Sequence, residues 1–398
     1  MTIKKQMPFK KLIPFLAILF AASLFINGCE KKDDQPPVMI EPIVLDCNFF
    51  KTDQVLENDP NRPVDYIVPC VAQVTANIVI KAGVVIEFED DAGLNVSTGS
   101  LRVEGTATSK VVFTGKIKVK GSWRGIYITS QSVNNILDHA VVSYAGGNSF
   151  NSNDDRGNVI CYNCKITVTN TEISNGKEHG FHALYSSTDI LAFENNIIKN
   201  NDKYPIYSRI EYGYIFSGIN ELSGNGNDYI YLEGGRSVED HQTWYSSNVP
   251  FFIDGNLRIV SGGSLTLFAG ADVRFEYSSS VTIEDGAFLA ANGEAGNRVI
   301  LTGLAEQPGS WKGIINRSGD PRNVIDFAEI AYAGGGAHNS NGDLGTIIVW
   351  SGAYQQVTNT ILRDAAANAP CAINAPYNNE TLVLSDNTVI NIDNEECQ

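Results

Sequence analysis

The chain has 398 residues, 45 acidic against 29 basic side chains, and a formal net charge of −16. Such an acidic body excludes nucleic acid as a partner, because phosphate contacts need clustered Lys and Arg. Its hydrophobic share of 43% is that of a folded protein, not of a disordered one. At the N-terminus, Lys4, Lys5, Lys10 and Lys11 form a positive leader, and an apolar run follows from Leu12 to Ile26, broken by Pro14 and Ser23. Gly28 is a small residue placed just before Cys29. A basic region, a short apolar core and a small residue before the cut are the parts of a secretory signal. The alternative is an uncleaved membrane helix, but a span needs about 20 apolar residues and this run is shorter.

The segment resembles a lipoprotein signal, because a cysteine follows the small residue. The resemblance implies that residues 1–28 are removed and that Cys29 carries a thioether lipid, anchoring the protein in a membrane. Loss of four Lys and no acid would take the formal charge to −20. Residues 29–46, opening with Glu30-Lys31-Lys32-Asp33-Asp34-Gln35-Pro36-Pro37, carry charge, Gln and Pro without apolar periodicity and read as a disordered tether. The Lys-Asp-Asp cluster resembles the acidic tags that send some lipoproteins to the outer face of the outer membrane; a spacer facing the periplasm is the other reading.

Seven cysteines less the lipidated one leave six, an even number suited to an oxidising compartment. Nearness in sequence suggests Cys47–Cys70, Cys161–Cys164 and Cys371–Cys397. The Cys-x-x-Cys at 161–164 could also be a redox or metal motif. It lacks a second Cys or His pair at zinc spacing and a strand–helix context, so a structural staple is expected.

The body repeats itself. Gly121-Ser122-Trp123-Arg124-Gly125-Ile126 returns as Gly309-Ser310-Trp311-Lys312-Gly313-Ile314, and Val111-Val112-Phe113-Thr114-Gly115 returns as Val299-Ile300-Leu301-Thr302-Gly303. Tyr144-Ala145-Gly146-Gly147 returns as Tyr332-Ala333-Gly334-Gly335. These matches share one offset of 188 residues, and they predict a tandem duplication with halves at 47–235 and 236–398. Each half reads as short β-branched and aromatic runs separated by turn residues, among them Val84–Phe88, Leu101–Val103, Val111–Phe113 and Ile166–Val168. Strands this short cannot bury a face alone, but coiled one above another they share a continuous core. Asn170, Asn175, Asn195 and Asn200 recur at the turns, where Asn tolerates the left-handed conformation.

The chain thereby resembles a right-handed parallel β-helix of the pectin-lyase-like superfamily. The matching residues are Ala82-Gly83, Phe88, Phe113-Thr114-Gly115, Trp123-x-Gly125-Ile126 and Tyr144-Ala145-Gly146-Gly147, with their copies. The resemblance implies an all-β solenoid, tandemly duplicated, over nearly the whole mature chain. A two-domain β-sandwich is the runner-up. At about 4.8 Å per coil, fourteen to sixteen coils would make a rod roughly 70 Å long. One rod or two abutting rods would fit, with the joint at 234–249.

Members of that superfamily often cleave acidic polysaccharides, but a shared fold is not evidence of catalysis. No hydrolase or lyase signature is present. If chemistry exists, Glu178, His179 and His182 are the candidates; a solvated loop is the plainer reading of those imidazoles. A duplicated Asn-Ser-Asn-x-Asp-x-Gly loop could wrap calcium through Asn151, Asn153 and Asp155, and again through Asn339, Asn341 and Asp343. Polar turn chemistry explains the same residues. Trp123, Tyr144, Trp311 and Tyr332 are the duplicated aromatics, which could stack on sugars or pack in the core. The reading is a cell-surface lipoprotein displaying an elongated β-helix for binding or adhesion, to polysaccharide or to a surface protein. A polysaccharide lyase is the alternative, and a purely structural surface protein the third.

Overall fold

A strand of three to five residues ends where the backbone must turn, and here left-handed residues mark those turns. Asn170, Asn175, Asn195 and Asn200 have φ of 52°, 55°, 58° and 58°. The short amide side chain is one of the few that bear this conformation at low cost. The result is a parallel β-helix of about 14 turns, described by a computed structural model over residues 40–338, 342–377 and 380–397. Each coil contributes one short strand to each of three sheets. Among the described residues the strands pair in parallel, and antiparallel contact is confined to the bridges Thr106–Ser109 and Glu294–Asn297.

Alternation decides which side chains enter the coil. On one sheet the inward column runs Leu56, Ile80, Val103, Leu137, Val168 and Phe193, each 4% exposed or less. Polar groups inside are paired across coils. Asn201, 1% exposed, accepts from the Gly176 backbone N–H at 2.8 Å and the Asn158 amide at 2.8 Å, and donates to Asn225 Oδ1 at 2.9 Å. Such buried amides replace main-chain partners that the turns leave open.

The sheets do not run the same course. One 13-stranded sheet passes through both halves without a break, so the two form one rod. An 8-stranded sheet ends at Glu221–Ser223, and a 7-stranded sheet begins at Arg236–Val238. In the first half the long sheet holds Gly125–Ile128; in the second it holds Val299–Gly303, whose sequence match Val111–Gly115 lies in the 8-stranded sheet. Matching strands therefore lie one face further round the axis in the second half. At the joint a helical turn, Gly213–Phe216, packs between Asp189–Glu194 and His241–Trp244. A Cβ on Gly213 would meet the Trp244 indole at 2.2 Å, so only glycine lets the indole close over this turn.

The internal repeat is carried into packing. Trp123 stacks on Phe88 with centroids 4.1 Å apart, and Trp311 stacks on Phe275 at 4.4 Å. Each indole N–H donates to a backbone carbonyl at 2.8 Å, of Ser143 and of Ala331. Both tryptophans are fully buried. This corrects the idea that they offer a sugar platform: the N–H needs a partner away from water, and a carbonyl of the next coil supplies it. Cys47 and Cys70, Cys161 and Cys164, and Cys371 and Cys397 stand at disulfide distance, with Cα separations of 6.2, 5.4 and 5.8 Å. Cys29 and the signal and tether segments up to residue 39 lie outside the described residues.

Candidate functional site

Consecutive strands of the long sheet, Gly157–Cys161, His179–His182, Ile206–Arg209 and Ile230–Glu233, build the site. Phe181 points inward, so His182 points out. Its register neighbours are Ile160 below and Tyr207 above, and Tyr231 and Phe252 continue the column. Gly180 is required here, since a Cβ would meet the Ile198 side chain at 2.4 Å.

Around His182 the sequence candidates come together. Asp155, Glu178, His179 and His182 are all buried, and all line a cavity of about 180 Å³ with Asn153, Arg156, Lys203 and Tyr207. Glu178 is held from two sides, by Arg156 Nη1 at 3.2 Å and Lys203 Nζ at 2.7 Å. Asp155 accepts from the Tyr185 hydroxyl at 2.8 Å and from the Asn151 amide at 2.7 Å. His182 Nε2 stands 3.6 Å from Asp155 Oδ1, beyond hydrogen-bond reach, and has no partner. His179 stacks on Tyr207 at 4.2 Å, and its Nδ1 is likewise unpartnered.

Electrostatics sets what this cluster can do. Burial, with His182, Lys203 and Arg156 adding repulsion, pushes the His179 imidazole down to about 2. Burial also lowers His182, against the pull of Asp155 and Glu178. Burial and the bond to Asp155 raise the Tyr185 hydroxyl well above the ordinary phenol range, so it stays a donor. A general base works best when its pKa lies near the working pH. His179 is far too weak a base for that, and both carboxylates are already engaged.

Two further cavities adjoin. Leu184 borders the first and a second of about 260 Å³, which Tyr185, Ser186, Arg209, Glu233 and Arg236 also line. Ser186 and Arg236 border a third of about 420 Å³, which Glu211, Tyr212, Glu239, Asp240 and Gln242 also line. Together they form a polar trough over four coils. The aromatic row beside it stacks on itself: Tyr207 on Tyr231 at 4.3 Å, and Tyr204 against Tyr231 at 5.0 Å. Rings stacked this way turn edges, not faces, to a ligand, and Tyr231 donates its hydroxyl to Asp254.

The calcium loop takes a different form from a cation cage. Asn151 Oδ1 accepts from the backbone N–H groups of Asn153 and Asp155, and the Asn153 amide donates to Tyr185. Oxygens used in this way close the loop on itself. Asn339 and Asn341 lie outside the described residues, while Asp343 accepts from the Tyr377 hydroxyl at 3.4 Å. Among the described residues no group of three or more His, Cys, Asp or Glu is placed to hold a metal. Tyr144 and Tyr332 are half-buried turn residues with φ of 65° and 61°, and neither lines the three cavities.

Sequence reasoning missed Arg156, Lys203, Tyr207 and Arg209. The coil period was the available signal for Tyr207: His182, Tyr207 and Tyr231 stand 25 and 24 residues apart in one outward column. Arg209 follows from no motif. No protein-family model, curated protein or solved structure matches the chain.

Proposed function

We propose that this protein is an exported lipoprotein, anchored through Cys29 in the outer membrane, whose β-helix binds a polysaccharide in the trough that leads from the long sheet to the joint. One observation carries the reading: three adjoining cavities, lined by charged and hydroxyl groups, draw their walls from four successive coils. Extended solenoid surfaces suit extended ligands, and sites of a few hundred Å³ with convergent polar groups are the usual form of binding pockets. Membership of the pectin-lyase-like superfamily belongs to the same proposal, resting on the sequence motifs and the parallel β-helix. Calcium is the one cofactor the sequence suggests, and the chelator arm of the test below decides on it, since the Asn151 and Asn153 side chains are spent on closing their own loop.

The test is a glycan array probed with the full lipidated chain in detergent, with calcium and with a chelator. Saturable binding that Lys203→Ala and Arg236→Ala weaken supports the reading. Silence on every glycan refutes it and leaves a protein partner or a structural role. A lyase is the second reading, since two buried carboxylates, Asp155 and Glu178, and two imidazoles converge at one cavity. Unsaturated sugar ends released in the same wells would establish it against the engaged carboxylates and weak His179 base described above. For the anchor, Cys29→Ser is expected to move the protein from the membrane to the soluble fraction; an unchanged distribution counts against lipidation.

A further inference from the structure

The two upper cavities of the trough hold charges that the fold itself leaves poorly matched. Arg209 is fully buried, yet its nearest carboxylates stand at 3.6 Å (Glu211) and 3.7 Å (Glu233), outside hydrogen-bond distance. Its Nε has no partner, and neither has Glu211 Oε2. A buried guanidinium lacking close partners is costly, and in a native fold it calls for an explanation such as a bound group. The guanidinium lines the 260 Å³ cavity together with Arg236. Two Arg face a single carboxylate there, Glu233, which stands 3.7 Å from Arg209 and 3.6 Å from Arg236, so in a chain of net charge −16 the cavity keeps an excess of positive charge. The adjoining 420 Å³ cavity, which shares Arg236, has an excess of negative charge, with Glu211, Glu239 and Asp240 on its walls. Burial and the neighbouring Glu233 and Glu239 push the Glu211 carboxyl up, against the pull of Arg209.

Resting on the glycan-binding reading above, we propose that these two cavities select a zwitterionic ligand, with a carboxylate against Arg209 and Arg236 and an ammonium group against Glu211, Glu239 and Asp240. The carboxylate would give the Arg209 guanidinium the close acceptor that Glu211 and Glu233 do not, and Arg is the side chain best shaped for it. The ammonium would bring a cation to three carboxylates that share one space. A purely anionic glycan would meet repulsion in the larger cavity, and a purely cationic one in the smaller. Selection of this kind works through the mismatched partner as much as the matched one.

The experiment is calorimetric titration of the full lipidated chain with three oligosaccharides. N-deacetylated hyaluronan alternates carboxylate and ammonium, hyaluronan carries carboxylates only, and chitosan carries ammonium groups only. The zwitterion is expected to bind at least about tenfold more tightly than either, the effect of one charge-assisted hydrogen bond. Because Arg209 is buried and its replacement could unfold the coil, the variants are at the exposed Arg236 and Asp240. Arg236→Gln should weaken the zwitterion and hyaluronan; Asp240→Asn should weaken the zwitterion and chitosan and tighten hyaluronan by relieving its repulsion. Equal affinity for the zwitterion and a single-sign glycan, or indifference to both variants, overturns the inference and leaves glycan binding standing. Binding of none of the three overturns it as well, and a silent array beside that result removes the glycan reading too.

Discussion

Replacing Trp123 by Ala separates packing from recognition. The side chain is fully buried, stacks on Phe88 at 4.1 Å and donates to the Ser143 carbonyl at 2.8 Å. Cutting a buried Trp to Ala costs about 3–5 kcal/mol, a range that already contains the cavity term. The lost stack, about 0.5–1.5 kcal/mol, and the orphaned carbonyl, about 1–3 kcal/mol, place this site in the upper part of that range. Trp123→Phe keeps the stack and loses the N–H bond and part of the volume, and should cost about 2 kcal/mol. Trp311→Ala should match Trp123→Ala to within about 1 kcal/mol, since its stack and its hydrogen bond are nearly the same. The assay is urea unfolding followed by circular dichroism, with hydrogen exchange to locate the loosened coils, because a long solenoid need not unfold in one step. A Trp123→Ala protein with unaltered unfolding but abolished glycan binding would refute the packing argument and restore the sugar platform.

The remaining predictions concern groups inside and beside the trough. The unfolded imidazole of His179 takes up a proton near pH 6.5, whereas the folded one resists it down to about 2. Stability is therefore intact above pH 6.5 and is lost as the pH falls below it, by about 1.4 kcal/mol per unit. His179→Phe keeps a ring on Tyr207 and removes the proton, so it should lose about 2 kcal/mol less than the parent between pH 7 and 5 in urea titrations; identical losses would show that the imidazole is not held neutral. Asn201→Ala strands the Gly176 N–H and the Asn158 amide and should cost about 3 kcal/mol in the same unfolding assay. A cost under about 1 kcal/mol would mean that water replaces the amide.

Much of the fold was legible in the sequence because a solenoid is local. Short β-branched runs, turn asparagines and repeated Trp-x-Gly-Ile motifs each report on one coil and its neighbour, and parallel stacking is their common solution. The left-handed Asn170 and Asn195 could be named for the same reason. The cluster at Glu178, His179 and His182 was visible as an unusual density of titratable groups. Its partners were not, because they lie one coil away: Tyr185 reaches Asp155 across 30 residues and Lys203 reaches Glu178 across 25. Pairing across coils depends on the exact length of each turn, and the turns here vary. The burial of Trp123 and Trp311 was open in the sequence because glycine on both sides fits a turn at the surface as well as a tight inner corner. In the fold, a Cβ on Gly125 would meet the Gly157 carbonyl at 2.5 Å, which shows how closely the next coil lies over this corner.

The change of face at the joint explains why a repeated sequence need not give a repeated site. The trough begins on the long sheet, at His179–His182 and Ile206–Arg209, and leaves that sheet at the joint, where Glu211, Arg236 and Asp240 line its largest cavity. In the second half that sheet carries Val299–Gly303 and Ala328–Ala331, whose sequence matches belong to another face of the first half. Arg209, Glu211, Glu233, Arg236 and Asp240 fall between the repeated motifs, in the stretch where the 8-stranded sheet closes and the 7-stranded sheet opens. The upper cavities are therefore products of the joint and not of the repeat. Ligand binding should accordingly saturate at about one site per chain by calorimetry. Two equivalent sites would place recognition on the repeated loops, and would count against every role assigned to the joint.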